Sequence, residues 1–156
     1  MIDPIRRSVM VTSSVETAFE VFTKGMGSWW PVGDFSRAAD RDEPNVKTEQ
    51  IVIEPWEGGR ITETMSDGSD GSWGTILVWD PPHRVVMAWK PNDTPLPPTE
   101  VDVQFIGQDD GRTRVDLEHR GWERLGDLAR AGRGQYEGGW TMVFEELYAA
   151  AANGAA

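Results

Sequence analysis

The spacing of apolar and polar positions changes several times along the chain, and each change marks an element. Residues 5–12 read as a strand. Ser13 and Glu16 then form an S-x-x-E capping box, so a helix is expected to begin there. Val15, Ala18, Phe19 and Phe22 follow at the spacing of one helical stripe, and Gly25 and Gly27 are expected to end it. Periodicity is then lost over residues 28–45. Trp29-Trp30-Pro31, Gly33, Asp34, Asp40, Asp42 and Pro44 make a loop carrying large aromatic rings, which is predicted to pack on something.

From residue 46 the pattern is that of a meander: runs 46–54 and 60–66, then a turn at 67–71. Runs 73–80 and 83–90 flank Pro81-Pro82, and runs 99–106 and 113–120 flank Asp109-Asp110-Gly111. In the last pair Val101, Val103 and Phe105 alternate with Asp102 and Gln104, while Val115, Leu117 and His119 alternate with Arg114, Asp116 and Glu118. One face is buried and the other wet. Over about 133–152, Tyr136, Trp140, Val143, Phe144 and Leu147 form one helical stripe, with Glu137, Glu145 and Glu146 outside it. That helix must cover the sheet, and the alanine-rich tail from about residue 150 is expected to be flexible. Without repeats or a linker, residues 1–156 read as a single α+β domain of about six to seven antiparallel strands.

Composition narrows the function. Thirty-eight per cent of residues are hydrophobic, but eight are Trp and five Phe, so much of the core resides in a few large rings. A net charge of −11 repels phosphate backbones and anionic bilayers, so neither nucleic acid nor a membrane is an expected partner. The absence of Cys removes disulfides, thiol nucleophiles and thiolate metal sites. No apolar run reaches the roughly 18 residues of a membrane span, and the N-terminal residues lack a signal-peptide pattern, so a cytoplasmic location is expected.

Several stretches carry a resemblance: WGTILVWDPP at 73–82, VMAW at 86–89, TEVDVQF at 99–105 and, above all, GRTRVDLEHRGWE at 111–123, followed by Tyr136 and Gly139-Trp140. Over nearly its whole length the chain resembles the bacterial relatives of the heat-shock protein 90 ATPase activator homologue, within the START-related SRPBCC superfamily. The resemblance implies a helix-grip fold, a bent antiparallel sheet wrapped on a long C-terminal helix. It also implies a cavity between them for an apolar or amphipathic small molecule. Relatives include lipid carriers, hormone receptors, allergens and polyketide cyclases, so the fold does not determine the activity. The activators that name the family act through a larger architecture, so the resemblance does not imply chaperone stimulation.

The candidate lining of that cavity is Trp73 and Trp79 on one strand, Met87 and Trp89 on the next, Phe105, Trp122, and Tyr136, Trp140 and Phe144 from the helix. These rings either line a cavity or simply fill the core. Trp29 and Trp30 either close over its mouth or plug the space under the first helix. His119 lies on the apolar register beside Leu117, and Glu63 lies between Ile61 and Met65. A buried carboxylate near an imidazole suits acid–base work. The competing reading makes His119 a core histidine bonded to Tyr136 or to backbone, with Glu63 reaching water. No His or carboxylate spacing suggests a metal, and the acidic turn at 67–71 lacks the distal ligands of a calcium loop. Arg120, Arg124, Arg130 and Arg133 are expected to pair locally with acidic neighbours. The leading expectation is therefore a cofactor-free binder of a small apolar or amphipathic molecule. The alternatives are a cyclase- or hydrolase-like enzyme using Glu63 and His119, and a module that regulates a chaperone or other protein. Sheet edges and the acidic surface permit a homodimer.

Overall fold

In the computed structural model, residues 2–41, 43, 45–91 and 95–155 are described; Asp42 and Pro44 of the aromatic loop lie outside them. Among these residues seven strands form one antiparallel sheet: β1 (Ile5–Val11), β2 (Thr48–Ile53), β3 (Arg60–Met65), β4 (Asp70–Asp80), β5 (Arg84–Trp89), β6 (Thr99–Gly107) and β7 (Thr113–Arg120). Their order is β1-β7-β6-β5-β4-β3-β2, a six-strand meander whose last strand is joined by the first. Register places Ile5, His119, Val101 and Met87 in one row, and Val9, Val115 and Phe105 in another. These rows form the buried inner face.

The helices gather on that face. Helix α1 (Val15–Phe22) buries Ala18, Phe19 and Phe22, as the stripe predicts. Its cap lies one residue later than the capping box suggests. The Ser14 side chain accepts from the Thr17 N–H at 3.2 Å, while the Ser13 hydroxyl is buried without a hydrogen-bond partner. The helix also stops before the glycines, where the Thr23 hydroxyl donates to the Phe19 carbonyl at 2.8 Å. The aromatic loop contains a short helix, α2 (Arg37–Asp40), capped by Ser36, whose Oγ accepts from the Ala39 N–H.

The C-terminal helix starts earlier and ends later than expected. It runs as α3 (Ala129–Trp140), a π-helical stretch (Thr141–Tyr148) and α4 (Ala149–Gly154). The segment expected to be a flexible tail is helical here. Ala152 is fully buried, and the Asn153 side chain accepts from the Thr12 N–H at 2.8 Å. Docking against β1 and α1 holds an end that alanine propensity alone would let fray.

Strand β4 departs from simple alternation. Register shifts between Ile61 and Thr62 on one side, and between Ile76 and Val78 on the other, each insert a residue into it. Trp73, Ile76 and Trp79 therefore come to the inner side at intervals of three. At the first bulge Gly74 has φ +139, and a Cβ there would stand 1.7 Å from the Ala88 carbonyl oxygen. Gly74→Ala is expected to cost about 3 kcal/mol or more, because both the backbone and the neighbouring strand must yield. Urea denaturation checks this; an unchanged midpoint would show that the bulge relaxes freely.

Candidate functional site

Glu63, on β3, is fully buried and its carboxylate is surrounded by donors. Oε1 accepts from the Arg37 N–H at 2.8 Å and from the Trp73 indole at 2.7 Å. Oε2 accepts from the Ala38 N–H at 3.0 Å and from the Thr48 hydroxyl at 2.7 Å. The first turn of α2 thus closes on a sheet carboxylate, which fastens the aromatic loop over the inner face. Glu63 does not reach out to water.

His119, on β7, is also fully buried. The Trp140 indole N–H donates to Nδ1 at 3.0 Å, and Nε2 lies 2.6 Å from the Thr99 hydroxyl. An indole nitrogen only donates, so Nδ1 is the bare nitrogen and Nε2 carries the proton. Burial pushes the pKa down to about 3 and holds the ring neutral. Its partners are thus Thr99 and Trp140 rather than Tyr136, whose ring packs edge-on 4.6 Å away. Glu63 and His119 bond to separate sets of groups. Both are held by hydrogen bonds made within the fold.

The aromatic candidates divide into clusters. Trp29 packs on Phe22 and Tyr148 and donates to the Val21 carbonyl, plugging the space beside α1. Phe105 and Phe144 join the same cluster through Phe22, and Trp79 joins it through Phe19. Met87 is buried in the sheet. Trp30 instead turns onto Trp73, Trp89 and Trp140, at ring separations of 5.3, 5.4 and 6.0 Å. Trp122 and Tyr136 pack around His119. Most of the space between sheet and helix is therefore filled by rings.

Open space remains where the aromatic loop meets α3. A pocket of about 130 Å³ has Trp30, Trp140, Val143 and Tyr136 as walls, with exposed Asp34, Phe35, Asp40 and Gln135 at its rim. A second pocket, of about 220 Å³, lies against Trp89, Trp122, Leu125 and Leu128, and Tyr136 and Gln135 line both. Burial pushes the Tyr136 phenol above its ordinary value, so the hydroxyl stays protonated. Of the sequence-derived candidates, Trp30, Tyr136 and Trp140 meet at the first pocket, and Trp89, Trp122 and Tyr136 at the second. Phe35, Asp34, Asp40 and Gln135 were not among the candidates, since a loop's path has no period to read and Gln135 falls outside the apolar stripe of its helix.

The arginines lie elsewhere. Arg120 reaches Asp102 and Glu118 at 2.9 Å and Glu100 at 3.1 Å, and Arg124 reaches Glu100 at 3.0 Å. This network covers the outer face of the sheet and pairs partners across strands; Arg133 pairs within its helix with Glu137. Burial works to raise the Asp102 pKa, but bonds from Arg84 and Arg120 outweigh it and hold the carboxyl below its usual range. Among the described residues no group of three or more His, Asp or Glu is arranged to hold a metal ion. No described helix is long and apolar enough to cross a membrane.

One seven-stranded antiparallel sheet packed on a long C-terminal helix defines a helix-grip domain. The chain belongs to the Activator of Hsp90 ATPase homolog 1-like protein family, whose sequence model matches residues 12–152. It is similar to the anthrahydroquino-γ-pyrone synthase Txn09, at 33% identity over 96% of this chain and 97% of that one, with a TM-score of 0.61. It is also similar to CalC from Micromonospora echinospora, a self-sacrificing resistance protein, at 27% identity over 99% and 97%, with a TM-score of 0.72. The Aha1 dimer from Colwellia psychrerythraea, at 16% identity over all of both chains and a TM-score of 0.61, shares the fold. No curated protein matched the sequence.

Proposed function

We propose that this domain binds a small apolar or amphipathic molecule where the aromatic loop meets the C-terminal helix. The observation that carries this reading is the pocket itself, with the Trp30, Trp140 and Tyr136 rings as walls. Aromatic walls with few polar groups suit a flat, partly apolar ligand. Asp34 and Asp40 at the rim and the net charge of −11 disfavour an anion. The similarity to a protein named as an anthrahydroquino-γ-pyrone synthase and to one named for resistance supports a small-molecule role. A filled interior would suit a partner-docking module equally well; the built pocket favours the ligand.

The test is titration with neutral 1,8-dihydroxyanthraquinone, followed by tryptophan fluorescence, with native mass spectra recording retained compounds and subunit number. Saturable quenching is expected, and Trp30→Ala should weaken binding about tenfold or more. Non-saturating quenching, or a Kd that ignores the Trp30 substitution, would remove the pocket from consideration.

A further inference from the structure

Six tryptophans are buried, and five have an acceptor for the indole N–H. Trp29 and Trp30 donate to carbonyls at 2.7 and 2.6 Å, Trp73 to Glu63 at 2.7 Å, Trp122 to the His119 carbonyl at 2.9 Å, and Trp140 to the His119 ring at 3.0 Å. Trp89 is the exception. It is 2% exposed, and its Nε1–H has no hydrogen-bond partner. An orphaned buried donor costs about 1–3 kcal/mol, in a cluster where every other indole is satisfied.

Trp89 lines the second pocket, and the Tyr136 hydroxyl stands close to its indole without reaching hydrogen-bond geometry. Tyr136 and Gln135 belong to both pockets, so the Tyr136 ring stands between them. Each space alone is below the roughly 300 Å³ at which ligand pockets begin, whereas joined they would enter that range. The helix bearing Tyr136 is poorly suited to rigidity. Its sequence ARAGRGQYEGGW has glycines on both sides of the tyrosine, each costing about 1 kcal/mol relative to Ala, and it passes directly into π-helical turns. Packing does not require most of them, because a Cβ at 134, 138 or 139 would meet nothing within 4 Å.

We propose that Tyr136 is a movable partition, and that the chamber opened by its displacement takes a planar neutral ligand whose carbonyl oxygen accepts a hydrogen bond from the Trp89 indole. The inference rests on the binding reading above and adds the ligand's chemistry. An indole N–H only donates, so the matching group is an acceptor. Lys90, on the wall of the same pocket, favours the partial negative charge of such an oxygen.

The experiment compares 9-fluorenone with fluorene, the same tricycle with and without the ketone. Wild-type protein should bind fluorenone about tenfold more tightly, with the ketone stretch moved to lower wavenumber in the complex. Trp89→Phe should abolish both the preference and the shift while fluorene still binds. Tyr136→Ala should keep the preference and speed association. Equal affinities, or a preference that survives Trp89→Phe, would overturn the Trp89 assignment and leave the pocket standing. Saturable binding of neither probe would overturn both. If Trp89→Phe does not fold, the wild-type infrared spectrum decides, and an unshifted ketone band rejects the proposal.

Discussion

Glu63→Gln will destabilise the protein by about 3 kcal/mol and loosen the aromatic loop from the sheet. The native carboxylate is purely an acceptor and is met by four donors, two of them backbone N–H groups of α2. An amide of the same size places an NH2 where an acceptor is needed, so at least one buried donor is orphaned and another faces a like group. Urea denaturation measures the loss of stability. Limited proteolysis within residues 31–41 measures release of the loop, and binding of 1,8-dihydroxyanthraquinone should weaken in parallel because Trp30 hangs on that loop. A wild-type urea midpoint with unchanged protease resistance would show that the four bonds contribute nothing net.

His119 makes the fold sensitive to mild acid. Its folded-state pKa is pushed down to about 3, from an ordinary value of 6.5, because burial penalises the imidazolium. Above the ordinary value both folded and unfolded histidine are neutral, and nothing is lost. Below it the unfolded chain takes up a proton that the folded chain refuses, so stability falls as pH falls, by up to about 1.4 kcal/mol per pH unit, until the folded ring itself titrates. The carboxylates held below their ordinary range, Glu100 and Asp102 among them, add their own acid loss only nearer pH 4. Between pH 7 and 5 the slope therefore belongs mainly to His119. Unfolding free energies of wild type and His119→Gln across that window should diverge, the wild type falling and the variant nearly flat. Parallel curves would mean that the imidazole is protonated in the folded protein after all.

Both predictions concern groups that sequence reasoning singled out while leaving their partners open. Burial of His119 was legible because Leu117 and Val115 share its register, and alternation along a strand is a local property. Its hydrogen bonds to Thr99 and Trp140 were not, since those partners stand 20 and 21 positions away and meet it only once β6 and the last helix are docked. The same holds for Glu63, whose α2 donors lie 25 and 26 positions earlier, in a stretch whose composition reads as irregular. A polar side chain announces that it needs a partner; it does not say which one.

By itself the sequence determined the strands, their meander, the stripe of α1 and the aromatic character of the interior, because each follows from a period of two or about 3.6 residues repeated over neighbouring positions. Tertiary structure decided the rest. The two bulges that bring Ile76 to the same inner side as Trp73 and Trp79, the docking that keeps the chain helical through Gly154, and the pockets on either side of Tyr136 each depend on segments distant in sequence. Their contacts form through packing and hydrogen bonding after the sheet has assembled, and no local pattern of residues encodes them.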